Sequence, residues 1–190
     1  MKDAKFYRFM RPIVKAFTKI FLRPTIIGVE NIPKDGAFVL AGNHTHIMDP
    51  LLLITSYKRS IHFLAKDELW KFPKNIIFDN LGLIPVNRRQ KDPNAMNSAR
   101  DALKNGSVIG IFPEGTTLKS VELLPFKFGA VKMAVDTNVK IVPFAISGDY
   151  KIFSRNLKIK YGKPITINKN KLEEENKKLR DTVSKMIKEN

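Results

Sequence analysis

A chain of 190 residues, 43% of them apolar, suffices for one domain with a sizeable core and is too short for two ordinary ones. It has no cysteine, which excludes disulfides, thiolate catalysis and sulfur-ligated metal sites. Its 34 lysines and arginines against 18 aspartates and glutamates leave a formal net charge of +16, a field that favours a polyanionic partner: nucleic acid, an anionic membrane or an acidic carrier protein.

Residues 1–22 come first. Phe6, Phe9, Met10, Ile13, Phe17, Ile20 and Phe21 follow helical spacing on one side, and Arg8, Arg11, Lys15 and Lys19 follow it on the other. Such a basic amphipathic helix is expected to lie in a membrane interface, with Pro12 dividing or kinking it. Covering the domain's own core is the alternative use of the same apolar face. No run of about 18 apolar residues suits a spanning helix, and cations interrupt the segment as they would not in a signal peptide.

Beyond Arg23-Pro24, strands and helices alternate, predicting one α/β domain over residues 23–190. Thr25–Val29, Ala37–Ala41, Ile61–Ala65, Leu83–Val86, Ser107–Phe112, Lys140–Ile146 and Leu157–Tyr161 are expected strands, with Ile165–Ile167 as further strand material. Helices are expected from Pro50, over about Asp67 to Asn80, from Asp92-Pro93 to Asn105-Gly106, over Gly129 to Asp136, and at the carboxyl end. In that last helix Leu172, Leu179, Val183, Met186 and Ile187 share a face, and Asn170 with Glu173 is placed like a capping pair.

In such sheets, ligands bind beyond the carboxyl ends of the strands. His44 follows Leu40-Ala41 there, Arg88 follows Pro85-Val86, and Glu114 follows Ile111-Phe112-Pro113. His44 and Asp49 lie five apart, too divergent to meet on a regular helix, whereas a compact loop running into a helix start brings them together. An imidazole held by a carboxylate is a general base for a hydroxyl. Asp49 before Pro50 also has the form of a plain helix N-cap, as has Asp92 before Pro93. Metal binding by His44, His46 and Asp49 is the weaker alternative, because His62 is the one further histidine and no second ligand cluster is visible; no metal is expected. Arg88 suits paired hydrogen bonds to a phosphate, with Lys127 as a second cation, although Arg88 beside Arg89 also fits a solvated basic loop. Zinc-finger spacing, RNA-recognition aromatics and a helix-turn-helix pattern are all missing, so no nucleic acid partner is expected.

Taken together, Asn43-His44 with Asp49-Pro50, Gly82 through Arg88, Phe112-Pro113-Glu114-Gly115-Thr116 and Val142-Pro143-Phe144-Ala145 resemble, in this order and spacing, the glycerolipid acyltransferases. The likeness is greatest to the lysophosphatidic acid acyltransferases. It implies a single mixed sheet flanked by helices, behind the amphipathic amino-terminal segment. It implies transfer of a fatty acyl group from acyl carrier protein or coenzyme A to the sn-2 hydroxyl of lysophosphatidic acid, giving phosphatidic acid, with no cofactor. His44 would be the base and Asp49 its orienting partner. Arg88, Glu114, Gly115 and Thr116 would bind the glycerol phosphate, with help from Lys127. The family pattern often carries an arginine where this chain has Thr117, and Lys119 or Lys127 is its expected replacement. Position 46, commonly a small hydroxyl residue, is a histidine that can compete as a base or simply pack. Family members sit on the cytoplasmic face of the membrane, which implies the same for Phe6, Phe9, Met10, Ile13 and Phe17 with Arg8, Arg11 and Lys15. The length suggests a minimal catalytic domain. A non-catalytic protein that binds anionic membranes, and an acyltransferase for another lyso-lipid or a lipid amine, are the alternatives.

Overall fold

The computed structural model describes residues 5–69, 79–87, 92–117 and 123–189. Helix α1 (Lys5–Phe17) continues as a π-helical turn (Thr18–Leu22) and is followed by β1 (Thr25–Ile27). Then come β2 (Phe38–Gly42), α2 (Asp49–Ser56), β3 (Ile61–Lys66) and β4 (Ile84–Val86). The second half runs through α3 (Pro93–Lys104), β5 (Val108–Ile111), α4 (Gly129–Thr137), β6 (Lys140–Ser147), β7 (Lys158–Tyr161) and α5 (Leu172–Lys188).

The strands form one sheet of seven, in the order β1-β7-β6-β2-β5-β3-β4. Strands β6, β2, β5, β3 and β4 are mutually parallel, and β7 runs antiparallel to β6. The parallel run sends the carboxyl ends of its five strands to one edge. Alternation along β2 divides the core in two. Phe38 and Leu40 face a layer with α1 and α2, while Val39 and Ala41 face α3, α4 and α5. Because both faces are covered, β2 is buried throughout, as parallel strands generally are.

Several expectations change on contact with the structure. Pro12 does not divide the first helix: it is exposed, and α1 runs on through it to Phe17. Arg11 belongs to the domain side, donating from Nε to the Tyr57 carbonyl at 2.8 Å, beside Tyr7, which is buried. Ile165 makes only an isolated bridge to Ile141, and no strand forms over 165–167. The last helix opens without a capping box: Lys171 precedes it and makes no side-chain cap, its ammonium pairing instead with Glu174 at 3.0 Å, and Asn170 donates its N–H to the Asn168 side chain. The expected helix after Asp67 begins as a 3-10 turn (Asp67–Leu69), and its remainder over 70–78 lies outside the described residues.

Candidate active site

Strand β2 delivers the site. Asn43, the first residue beyond it, is buried and acts as an extra rung of the ladder: Nδ2 donates to the Ile146 carbonyl at 2.8 Å and Oδ1 accepts the Ile146 N–H at 2.7 Å. The chain can therefore turn at His44 without leaving the end of β6 unpaired.

Over 44–49 the backbone curls around one carboxylate. Asp49 is fully buried. Its Oδ2 accepts the N–H groups of Thr45 (2.6 Å) and His46 (2.9 Å) and lies 2.8 Å from His44 Nδ1. Its Oδ1 accepts the Thr45 hydroxyl at 3.2 Å and the Tyr150 hydroxyl. A carboxylate only accepts, so Nδ1 carries the imidazole proton and Nε2 is the basic nitrogen. The N-cap alternative for Asp49 is set aside by these contacts: Asp49 is the first residue of α2, and its side chain turns back onto the preceding loop. Asp92 does cap, accepting the Ala95 N–H at 3.0 Å.

The imidazole plane is fixed from the side. His44 stacks on Phe112 with ring centroids 4.0 Å apart and 17° between planes. Glu114, two residues on, accepts the His44 N–H at 2.8 Å through Oε1 and the Leu124 N–H at 3.2 Å through Oε2. Glu114 thus braces the two turns against each other, with both oxygens committed to backbone N–H groups. Gly115 has φ +71°, and a Cβ there would lie 2.9 Å from Lys127 Nζ. The missing side chain therefore admits both the left-handed turn and the Lys127 ammonium, while the Lys127 N–H donates to the Pro113 carbonyl at 2.9 Å. Thr116 continues the same turn and is half-buried.

His46 faces elsewhere. Its ring stacks on Tyr150 at 4.5 Å, and its Nδ1 accepts the Met48 N–H at 3.2 Å. His62 is buried in β3 with Nδ1 2.7 Å from the Gly82 carbonyl, and burial holds its imidazole below the ordinary range. The structure therefore brings His44, Asp49, Glu114, Gly115 and Lys127 together, while Arg88 and Lys119 lie outside the described residues. Tyr150 is the residue that the sequence reading missed. Burial, then the neighbouring Asp49 charge, push its phenol far above the usual range, so it stays a donor to that carboxylate. Its signal was available in the rule already applied to His44 and Glu114, since Tyr150 is a polar residue shortly past the carboxyl end of β6.

A His–Asp pair beyond the carboxyl end of β2, in a mixed sheet covered by helices on both faces, is an α/β scaffold equipped to take a proton from a hydroxyl, and a family model described as Acyltransferase matches residues 23–147. The chain belongs to that acyltransferase family, among the 1-acyl-sn-glycerol-3-phosphate acyltransferases. It is 36% identical over 135 residues to the 1-acyl-sn-glycerol-3-phosphate acyltransferase of Borreliella burgdorferi, a match over 70% of this chain and 54% of that protein. It is 31% identical over 146 residues to the enzyme of the same name from Bacillus subtilis, over 75% of this chain and 71% of that one. The crystal structure of the 1-acyl-sn-glycerophosphate (LPA) acyltransferase PlsC from Thermotoga maritima superposes with a TM-score of 0.76 at 27% identity, over 100% of this chain and 83% of that chain. The chain spans about half the length of the first two curated relatives it matches.

Proposed function

We propose that this chain acylates the sn-2 hydroxyl of lysophosphatidic acid, using a thioester of acyl carrier protein or coenzyme A as donor. The observation that carries the reading is the His44–Asp49 pair at the carboxyl edge of the sheet, with Nδ1 committed to the carboxylate and Nε2 left as the base. Nε2 takes the hydroxyl proton while the oxygen attacks the thioester carbonyl. The tetrahedral intermediate then expels the thiolate, which takes up that proton. No acyl-enzyme and no cofactor is needed, in keeping with a chain that has no cysteine. Lys127, which lies over the Gly115 turn, would hold the acceptor's phosphate, with Arg88 as the second cation expected from the sequence.

Membrane association belongs to the same proposal. No helix among the described residues is long and apolar enough to cross a membrane. Phe9, Ile13, Phe17 and Ile20 are nonetheless 66%, 50%, 42% and 55% exposed along one line of the first segment. Phe6 and Met10, also expected at the membrane, are half-buried, and Arg8 and Lys15 flank the row. This arrangement supports a protein held on the cytoplasmic face of the membrane by an interfacial helix.

Transfer of a labelled acyl group to lysophosphatidic acid in detergent micelles, from each donor in turn, tests the reading. Product from one donor names it, whereas folded protein inactive with both would overturn the assignment. A narrower expectation concerns Lys127→Met. A hydrogen bond to a charged group contributes about 1.5–3 kcal/mol, so the KM for lysophosphatidic acid should rise roughly tenfold or more. The kcat should hold, and a phosphate-free acceptor such as monoacylglycerol should be unaffected. A KM that does not move would remove Lys127 from the phosphate site.

A further inference from the structure

The connection between β6 and β7 carries two adjacent large apolar side chains into solvent: Ile152 is 60% exposed and Phe153 59%. Phe153 is also one of three non-glycine residues with positive φ among those described, at +60°. That conformation is unfavourable for a bulky L-residue, and a strained backbone persists only where its surroundings hold it. Here the Phe153 N–H donates to the Phe21 carbonyl at 2.6 Å, and its ring lies 5.9 Å from that of Phe21, which in turn lies 5.0 Å from Phe17. The loop is therefore fastened to the end of the first helical segment, and Phe17, Phe21 and Phe153 form one aromatic run.

Charge around this run has one dominant sign. No aspartate or glutamate lies between Asp3 and Glu30, and Lys19, Arg23, Lys151 and Arg155 are all exposed. The Arg23 guanidinium sits 5.4 Å over the Phe153 ring, covering it with a cation. Asp149 is the only carboxylate in the β6–β7 connection. A protein partner would have to offer an apolar surface ringed by anions, and an anionic bilayer presents that combination over any area.

We propose that the Lys151–Arg155 loop is a second bilayer-inserting element, continuous with the first helical segment, whose ligand is an anionic phospholipid surface. The proposal rests on the membrane-surface reading above and adds a contact distant in sequence from the amphipathic helix. Because the chain lacks cysteine, a single introduced thiol labels uniquely. Ile152→Cys, Ile13→Cys and, at an exposed position of α5, Lys178→Cys would each carry an environment-sensitive fluorophore. Each would be mixed with vesicles of equal parts phosphatidylcholine and phosphatidylglycerol, with and without nitroxide-labelled lipid. The expected result is a blue shift and nitroxide quenching at positions 152 and 13 and no response at 178. A response at 13 with none at 152 would overturn this proposal and leave the helix reading standing. No response at either would overturn both. In unlabelled protein, Ile152→Ser with Phe153→Ser should weaken vesicle binding roughly tenfold or more, as removal of two inserted apolar side chains requires. Unchanged binding would count against insertion.

Discussion

Replacing His44 with alanine is expected to lower the rate of acyl transfer by about 10² to 10⁴-fold, the usual span for losing a positioned general base. The expectation follows from the commitment of the two ring nitrogens. Nδ1 faces the buried carboxylate of Asp49, which leaves Nε2 as the nitrogen able to receive the hydroxyl proton. Vesicle binding and the circular dichroism of the fold should be unchanged, because the sheet continues through Asn43 and the brace from Glu114 reaches the backbone N–H of residue 44. The measurement is kcat on both donors. A variant that keeps more than about a tenth of the wild-type rate would end the case for His44 as the base.

Asp49→Ala is expected to be as slow as His44→Ala and less stable. The carboxylate accepts from the His44 ring, the N–H groups of Thr45 and His46, and the hydroxyls of Thr45 and Tyr150. Deleting it leaves buried donors unpaired, at about 1–3 kcal/mol for each one not rescued by solvent, so urea unfolding should show a loss of about 2–4 kcal/mol. Since both residues serve one proton transfer, the double variant should be no slower than either single one. Additive losses would mean that they act independently. Asp49→Asn separates charge from geometry. Its carbonyl oxygen suits the Oδ2 position, where two backbone N–H groups point, and its NH₂ then faces the Thr45 and Tyr150 hydroxyls, which can turn to accept. The histidine tautomer survives in that arrangement and only the stabilising charge is lost. Asp49→Asn should therefore be faster and more stable than Asp49→Ala.

The two Asp-Pro pairs show where sequence reading stopped. Asp49-Pro50 and Asp92-Pro93 both begin helices, and local propensity favours an N-cap for each. Both carboxylates reach back, Asp92 to the Asn87 N–H and Asp49 to those of Thr45 and His46, but Asp92 also caps its own helix through Ala95 while Asp49 spends both oxygens away from its helix. The difference lies in what stands opposite: Tyr150, 101 positions along the chain, supplies a donor that only the folded sheet can bring to Asp49. His44 and Glu114 were legible because each directly follows an apolar strand, and parallel strands share a carboxyl edge. Most strands were legible for a related reason, since buried parallel strands appear as short continuous apolar runs. The strand expected over 165–167 was not realised, because an apolar pattern specifies burial and not pairing. Arg11 followed the helical period correctly but was assigned to the wrong side. Periodicity groups residues onto a face without saying whether that face meets water or protein, and Tyr57 decided it. The family resemblance placed Glu114 among the phosphate-binding groups. Its two backbone bonds show what an acidic residue does there, which is to hold the turns that carry His44 and Lys127.

Only three peptide units separate Tyr150, on the Asp49 carboxylate, from Phe153, against the Phe21 ring. Even fully extended, that tether spans no more than about 10–11 Å. On the membrane placement proposed above, the acceptor can remain anchored by its acyl chain while its hydroxyl is acylated. Its encounter with the enzyme is then a search in two dimensions. The rate would follow the mole fraction of lysolipid in the surface, and inert lipid added at constant bulk lysolipid would slow the reaction by surface dilution.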